Sequence, residues 1–224
     1  MRWYGWLAVL VVVIIGGAVL VVLALDDPEL VTTEANVMSS DLEVPAIGFT
    51  QVTGDYDWQF PQDFGPHPDF QREQWEIQSG EDCEMSFTVL FDRASFVAET
   101  FAPERESAWA MNGILQATLR VEGIQTGEDI DVTRSSRMAA ELAGADENRV
   151  WVEDWVWNWL DGTLVIADED ARLELTLSNE NEATPIAEMG WNAYTVVGDG
   201  SGKIELGEQA NEISCSITIT HRFQ

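Results

Sequence analysis

The groups best placed to move a proton in this chain are His67, Asp69 and Glu73, with the imidazole held between Pro66 and Pro68. An imidazole within a few residues of two carboxylates is the material of general acid–base catalysis. The competing reading makes His67 a hydrogen-bonded cap that orders a first turn. A metal site is not expected. His67 and His221 are the only histidines, and neither has a further ligand at zinc spacing. There is no G-x-S-x-G elbow, no glycine-rich phosphate loop and no C-x-x-C pair, so no nucleophilic, nucleotide or dithiol chemistry is signalled and no cofactor is implied.

The elements that must position these groups are strands. Met85, Phe87, Val89 and Phe91 share one face and Leu115, Ala117, Leu119 and Val121 another, while Leu173, Leu175 and Leu177, and then Ile213, Cys215, Ile217 and Ile219, alternate with polar neighbours. Period-two patterning of this kind belongs to antiparallel strands with one buried face. Asp161-Gly162 and the run Gly198 to Gly202 read as turns between them. The fold class is therefore all-β, a sandwich or flattened barrel. One segment, Arg137 to Ala145, has the composition of a short helix ending at Gly144. Cys83 and Cys215 share the inward parity of their strands, which predicts either a disulfide between the first and last core strands or two buried thiols. If 150–160 forms one continuous strand, Trp151, Trp155, Trp157 and Trp159 share a face. That face is either an aromatic wall for an apolar ligand or the filling of a wide core.

Trp3 to Leu25 contains no charged residue, and roughly 20 apolar residues span a bilayer. Residues 1–25 are expected to form a retained transmembrane anchor, the alternative being a signal peptide cleaved near Ala24. Arg2 precedes the run while Asp26, Asp27 and Glu29 follow it, so the positive-inside rule places the N-terminus in the cytoplasm and the remainder outside. Gly16, Gly17 and Ala18 form a flat patch in mid-span, either a helix–helix interface or plain lipid-facing surface. Residues 26–57 read as an extended tether and 58–224 as the β domain. The formal net charge is −29, with Lys203 the only lysine. Such a field excludes nucleic acid as a partner and keeps the domain soluble, and it can also steer a basic partner.

The stretch Phe60-Pro-Gln-Asp-Phe-Gly-Pro-His-Pro-Asp-Phe70, followed by Glu73-Gln74-Trp75-Glu76, resembles the opening of the lipocalin-like family. That family includes hydroxyneurosporene synthase, the carotenoid hydratase of phototrophic bacteria, and the AttH-type secreted hydrolases. Family members continue Glu-Trp-Trp-Tyr where this chain has Gln74 and Glu76. A second anchor of the resemblance is Arg137, then Ala143-Gly-Ala145, then Val150-Trp-Val-Glu-Asp-Trp155. The resemblance implies a lipocalin-like barrel over roughly Phe60 to Phe223. Carotenoid hydration needs an acid with a raised pKa in an apolar pocket, and Asp69, Glu73 and Asp154 are the carboxylates at motif positions. The two lost aromatics, and the expected absence of a second, catalytic half, imply instead a non-catalytic accessory subunit of the bacterial inner membrane. Its domain would be periplasmic and would help assemble a larger membrane complex. Reaction-centre and light-harvesting proteins are the partners the resemblance suggests. A hydratase-like enzyme and an apolar-ligand carrier associated with a transporter are the alternatives.

Overall fold

The structure, a computed structural model, describes residues 48–101, 107–110, 112–122, 129–178, 182–207 and 209–224. The expected anchor with its Gly16, Gly17 and Ala18, and residues 26–47 of the expected tether, lie outside them. Among the described residues no helix is long and apolar enough to cross a membrane.

Among the described residues twelve strands form one antiparallel sheet: β1 (Arg72–Ser79), β2 (Ser86–Ser95), β3 (Gly113–Glu122), β4 (Ile130–Arg137), β5 (Ala143–Ala145), β6 (Arg149–Val152), β7 (Trp155–Asn158), β8 (Thr163–Ala167), β9 (Ala171–Leu177), β10 (Thr184–Glu188), β11 (Trp191–Leu206) and β12 (Gln209–Phe223). Their order is β4-β3-β2-β1-β12-β11-β9-β8-β7-β6-β5, with β10 paired to the first part of β11. The sheet curls until β3 and β4 lie against β5 and β6, giving a nearly closed barrel. Arg134 of β4 ties that seam. It donates to Ala167 O at 2.8 Å, pairs with Asp154 and Asp168, and lies 5.1 Å over the Trp155 ring.

The inner face follows the alternation. Trp75, Ile77, Phe87, Val89, Phe91, Leu115, Leu119, Leu164, Ile166, Leu173 and Ile217 are all essentially inaccessible to solvent. Removing side chains of this size from water stabilises the fold by roughly 1.5–3 kcal/mol each. Cys83 and Cys215 are joined in a disulfide with a Cα–Cα distance of 5.1 Å.

Three local expectations are corrected. Residues 137–145 are not helical: β4 ends at Arg137, Ala140 and Glu141 take positive φ, and β5 follows. The Ala140 and Glu153 amides bond to Ala108 O and Leu142 O, so tertiary pairing overrides helix propensity. The smallness of Ala-Gly-Ala has a packing cause, since a Cβ on Gly144 would meet the Trp151 ring at 2.8 Å. Residues 150–160 are not one strand either. A turn at Glu153-Asp154, with Glu153 at φ 57°, folds them into the β6–β7 hairpin. Trp155 and Trp157 consequently face the core, Trp159 packs against it, and Trp151 is left outside against Arg149. Gly198 to Gly202 lies inside β11 rather than in a turn. A Cβ on Gly202 would stand 2.0 Å from Glu174 O, so glycine is required for the close approach of β9 where β11 exchanges β10 for β9 as its neighbour.

Because the disulfide closes a loop across positions 132 residues apart, replacing both cysteines by serine should lower the unfolding free energy by about 2–5 kcal/mol. Urea titration checks this, and unchanged stability would leave the bond without a structural role.

Candidate functional site

Four neighbouring strands place a row of polar side chains across one end of the barrel interior: Arg93 on β2, Glu73 on β1, His221 on β12 and Tyr194 on β11. Register sets the row. Arg93 stands directly opposite Glu73, and Tyr194 opposite His221, while His221 is diagonal to Glu73. The segment before β1 folds over this end through a short 3-10 turn, Gln62–Phe64, and delivers Asp63 and His67.

Glu73 is wholly buried, and its Oε1 is the meeting point of the cluster. The His67 amide donates to it at 2.8 Å, His67 Nδ1 lies at 3.0 Å and His221 Nε2 at 2.8 Å. Arg93 Nη2 is 2.8 Å from Oε2 as an ion pair, and its hydrogen bond goes to His67 O at 2.7 Å. Burial alone would raise the carboxyl pKa. The Arg93 charge and the hydrogen bonds from His221 and His67 outweigh it and hold Glu73 well below the usual carboxylate range.

An ionised carboxylate only accepts, so His221 Nε2 carries the proton in its contact with Glu73. Burial pushes the His221 pKa down, against the pull of Glu73, and the neutral ring leaves Nδ1 as an acceptor. Tyr194, 3.1 Å away, therefore donates its hydroxyl proton to Nδ1. Burial, with the Glu73 and Asp63 charges nearby, raises the Tyr194 pKa well above its ordinary value. On the other side, Asp63 accepts from Tyr56 Oη at 3.1 Å and faces His67 Nε2 at 3.3 Å. Tyr56 is pushed up to about 12 by burial and then by Asp63.

Aromatic rings enclose the cluster. Phe223 stacks on His67 at 3.7 Å, Trp75 on His221 at 4.9 Å, and Trp58, Phe60 and Phe64 pack edge-on around Tyr194. Beyond Trp75 and Tyr194 opens a cavity of about 340 Å³, lined otherwise by Phe64, Trp157, Trp159, Val196 and neighbouring apolar residues, with Glu147 the one charged group. A larger cleft of about 720 Å³ at the disulfide end carries Asp82, Glu84 and Glu212 beside Met85, Phe87, Ile204 and Ile213, and its three carboxylates suit solvent better than an apolar guest.

Of the carboxylates singled out from the sequence, only Glu73 joins His67. Asp69 is exposed, and Asp154 is engaged at the seam with Arg134. Trp157 and Trp159 line the cavity, whereas Trp155 is core and donates from Nε1 to Ala167 O. Asp63, Arg93, Tyr194 and His221 were missed. His67 and His221 do acquire a common neighbour in Glu73, and ligand atoms of the three lie within 4.8 Å of one another. They are the described residues that could hold a divalent ion. Here their contacts are hydrogen bonds onto one oxygen, and the Arg93 cation beside that carboxylate opposes a second positive charge. Gln74 and Glu76, the two departures from the motif, sit at strand positions alternate to Glu73 and Trp75. Glu76 pairs with Arg222 there, away from the cluster.

Glu73→Gln removes the counter-ion of a buried arginine and should cost about 3–5 kcal/mol in urea unfolding; a loss below about 1 kcal/mol would show the charge to be dispensable. A folded-state pKa of His221 below 6.5 means that the unfolded chain binds the extra proton as pH falls through that value. Acidification thus removes stability through this residue. The stability advantage of wild type over His221→Gln should shrink between pH 7.5 and 5.5, and an advantage that stays constant or grows would contradict the assignment.

The sequence matches the AttH-like family over residues 51–219. The fold is similar to the crystal structure of a protein from Nitrosomonas europaea described as AttH, with a TM-score of 0.62 and 19% sequence identity. The match covers 78% of this chain but 58% of that one, so the chain spans little more than half the length of that relative. Among curated proteins no sequence matches it. With three quarters of its length matched by the family, and the barrel built to the same plan, this chain is a member of the AttH-like family.

Proposed function

We propose that this protein is a non-catalytic, membrane-anchored subunit whose AttH-like, lipocalin-like barrel binds an apolar molecule and serves assembly of a larger membrane complex. The observation that carries this reading is the pairing of an apolar cavity with a polar cluster whose protons are already committed. Tyr194 is the cluster member on the cavity wall, and its hydroxyl points its proton at His221 rather than toward a guest. Glu73, held ionised, is the wrong protonation state for an acid that must protonate a double bond. Anchoring rests on the uncharged run Trp3 to Leu25, and a periplasmic domain on the charge asymmetry across it. Reaction-centre and light-harvesting proteins enter as partners only through the resemblance to a hydratase of phototrophic bacteria.

A second reading, a carotenoid hydratase-like enzyme, is favoured by one feature, the Glu73–His221–Tyr194 chain ending at the cavity. The outward placement of Gln74 and Glu76 means that the altered motif does not disturb that chain. The two readings separate on purified full-length protein. Organic extraction followed by mass spectrometry should release one apolar compound in near-equal amount to wild-type chain, and much less from Val196→Trp, in which the cavity is filled. No enriched compound would overturn the binding role. Conversion of an acyclic carotenoid to its hydrate, lost in Tyr194→Phe, would overturn the non-catalytic assignment.

A further inference from the structure

Resting on that binding role, we infer that the cavity takes the end of a single apolar chain whose head group is uncharged or cationic, and that Glu147 at its mouth excludes carboxylates. Size sets the first part. At roughly 30 Å³ for each water-sized group, the space accommodates about 11 heavy atoms, and its 340 Å³ falls at the lower edge of ligand pockets. That is the depth of one chain end and far less than a whole polyene or a two-chain lipid, so the rest of any longer guest lies outside.

The mouth sets the second part. Glu147 is exposed, and Leu160, also lining the cavity, is 69% exposed. With Pro61, likewise exposed, these residues mark the side open to solvent, while Trp75 and Tyr194, almost fully buried, form the inner wall. The Glu147 carbonyl accepts from Trp159 Nε1 at 2.8 Å, which fixes the backbone of the acidic residue to the aromatic wall. A guest entering chain-first leaves its head group beside this carboxylate, in the field of a chain with net charge −29. A second carboxylate placed there is repelled by about 1 kcal/mol even at the dielectric constant of water, and a hydroxyl or ammonium is not.

The test uses full-length protein in nanodiscs of neutral lipid, with 10-bromodecan-1-ol and 10-bromodecanoate as probes. The terminal bromine quenches indole fluorescence on contact, and the cavity wall holds Trp75, Trp157 and Trp159. Val196→Phe, which narrows the cavity without adding an indole, supplies the quenching that arises elsewhere. At low salt the alcohol should bind about fivefold or more tightly than the carboxylate. Glu147→Gln should narrow that ratio, as should raised salt. Equal binding of the two probes, or a ratio unmoved by Glu147→Gln, would overturn the selection while leaving the cavity a binding site. Quenching no greater than in Val196→Phe for either probe would overturn the binding role itself.

Discussion

A carboxylate with no access to water must be surrounded by donors, and the upper end of this barrel is arranged around that requirement for Glu73. An isolated charge in such a place costs many kcal/mol. Here the cost is offset by one backbone amide, two imidazoles and one guanidinium. Each partner arrives from a different part of the chain. Arg93 comes from β2, His221 from the last strand, and His67 from the segment folded over the barrel end. The hydrogen bonds of Glu73 therefore also record that the first and last strands are paired in register and that the preceding segment is docked.

The same requirement assigns the protons. Once Glu73 is an acceptor, His221 must donate through Nε2 and accept through Nδ1, and Tyr194 must donate inward. The Tyr194 and His221 protons thus point into the cluster, and the neighbouring cavity is lined mainly by aromatic and alkyl side chains. A strongly acidic exterior completes the contrast. Charge stays on the surface or in closed pairs, and the space available to a guest is apolar except at its mouth.

Much of the barrel is legible in the sequence because side-chain period and burial period are the same quantity in a strand. The inward sets around Phe87, Leu119, Leu173 and Ile217 follow from alternation alone. The failures share a cause. Ala139 to Leu142 has helical composition, yet the Ala140 amide and the Glu141 and Leu142 carbonyls are claimed by other segments. Glu153-Asp154 makes a hairpin turn without glycine, so nothing local announces that the Trp-rich stretch reverses. Gly198 to Gly202 has turn composition, but there glycine serves a close strand approach. The site was half legible. His67 and Glu73 lie six residues apart within one motif, and Asp63 lies in the same motif. His221 is 148 residues from Glu73 and becomes its neighbour only through the β1–β12 register, which no local spacing reveals.

The central claim is that Glu73 is an ionised carboxylate, with Oε1 contacted by the His67 amide and two imidazoles and Oε2 facing Arg93, that fixes the proton positions around it. Nitrogen-15 NMR of the histidine side chains in the full-length protein tests this most directly. At neutral pH His221 should be a neutral ring protonated at Nε2, with a slowly exchanging proton and an unprotonated Nδ1 shifted by the Tyr194 hydrogen bond. A ring protonated at Nδ1, or an imidazolium, would reverse the Tyr194 hydroxyl and contradict the account.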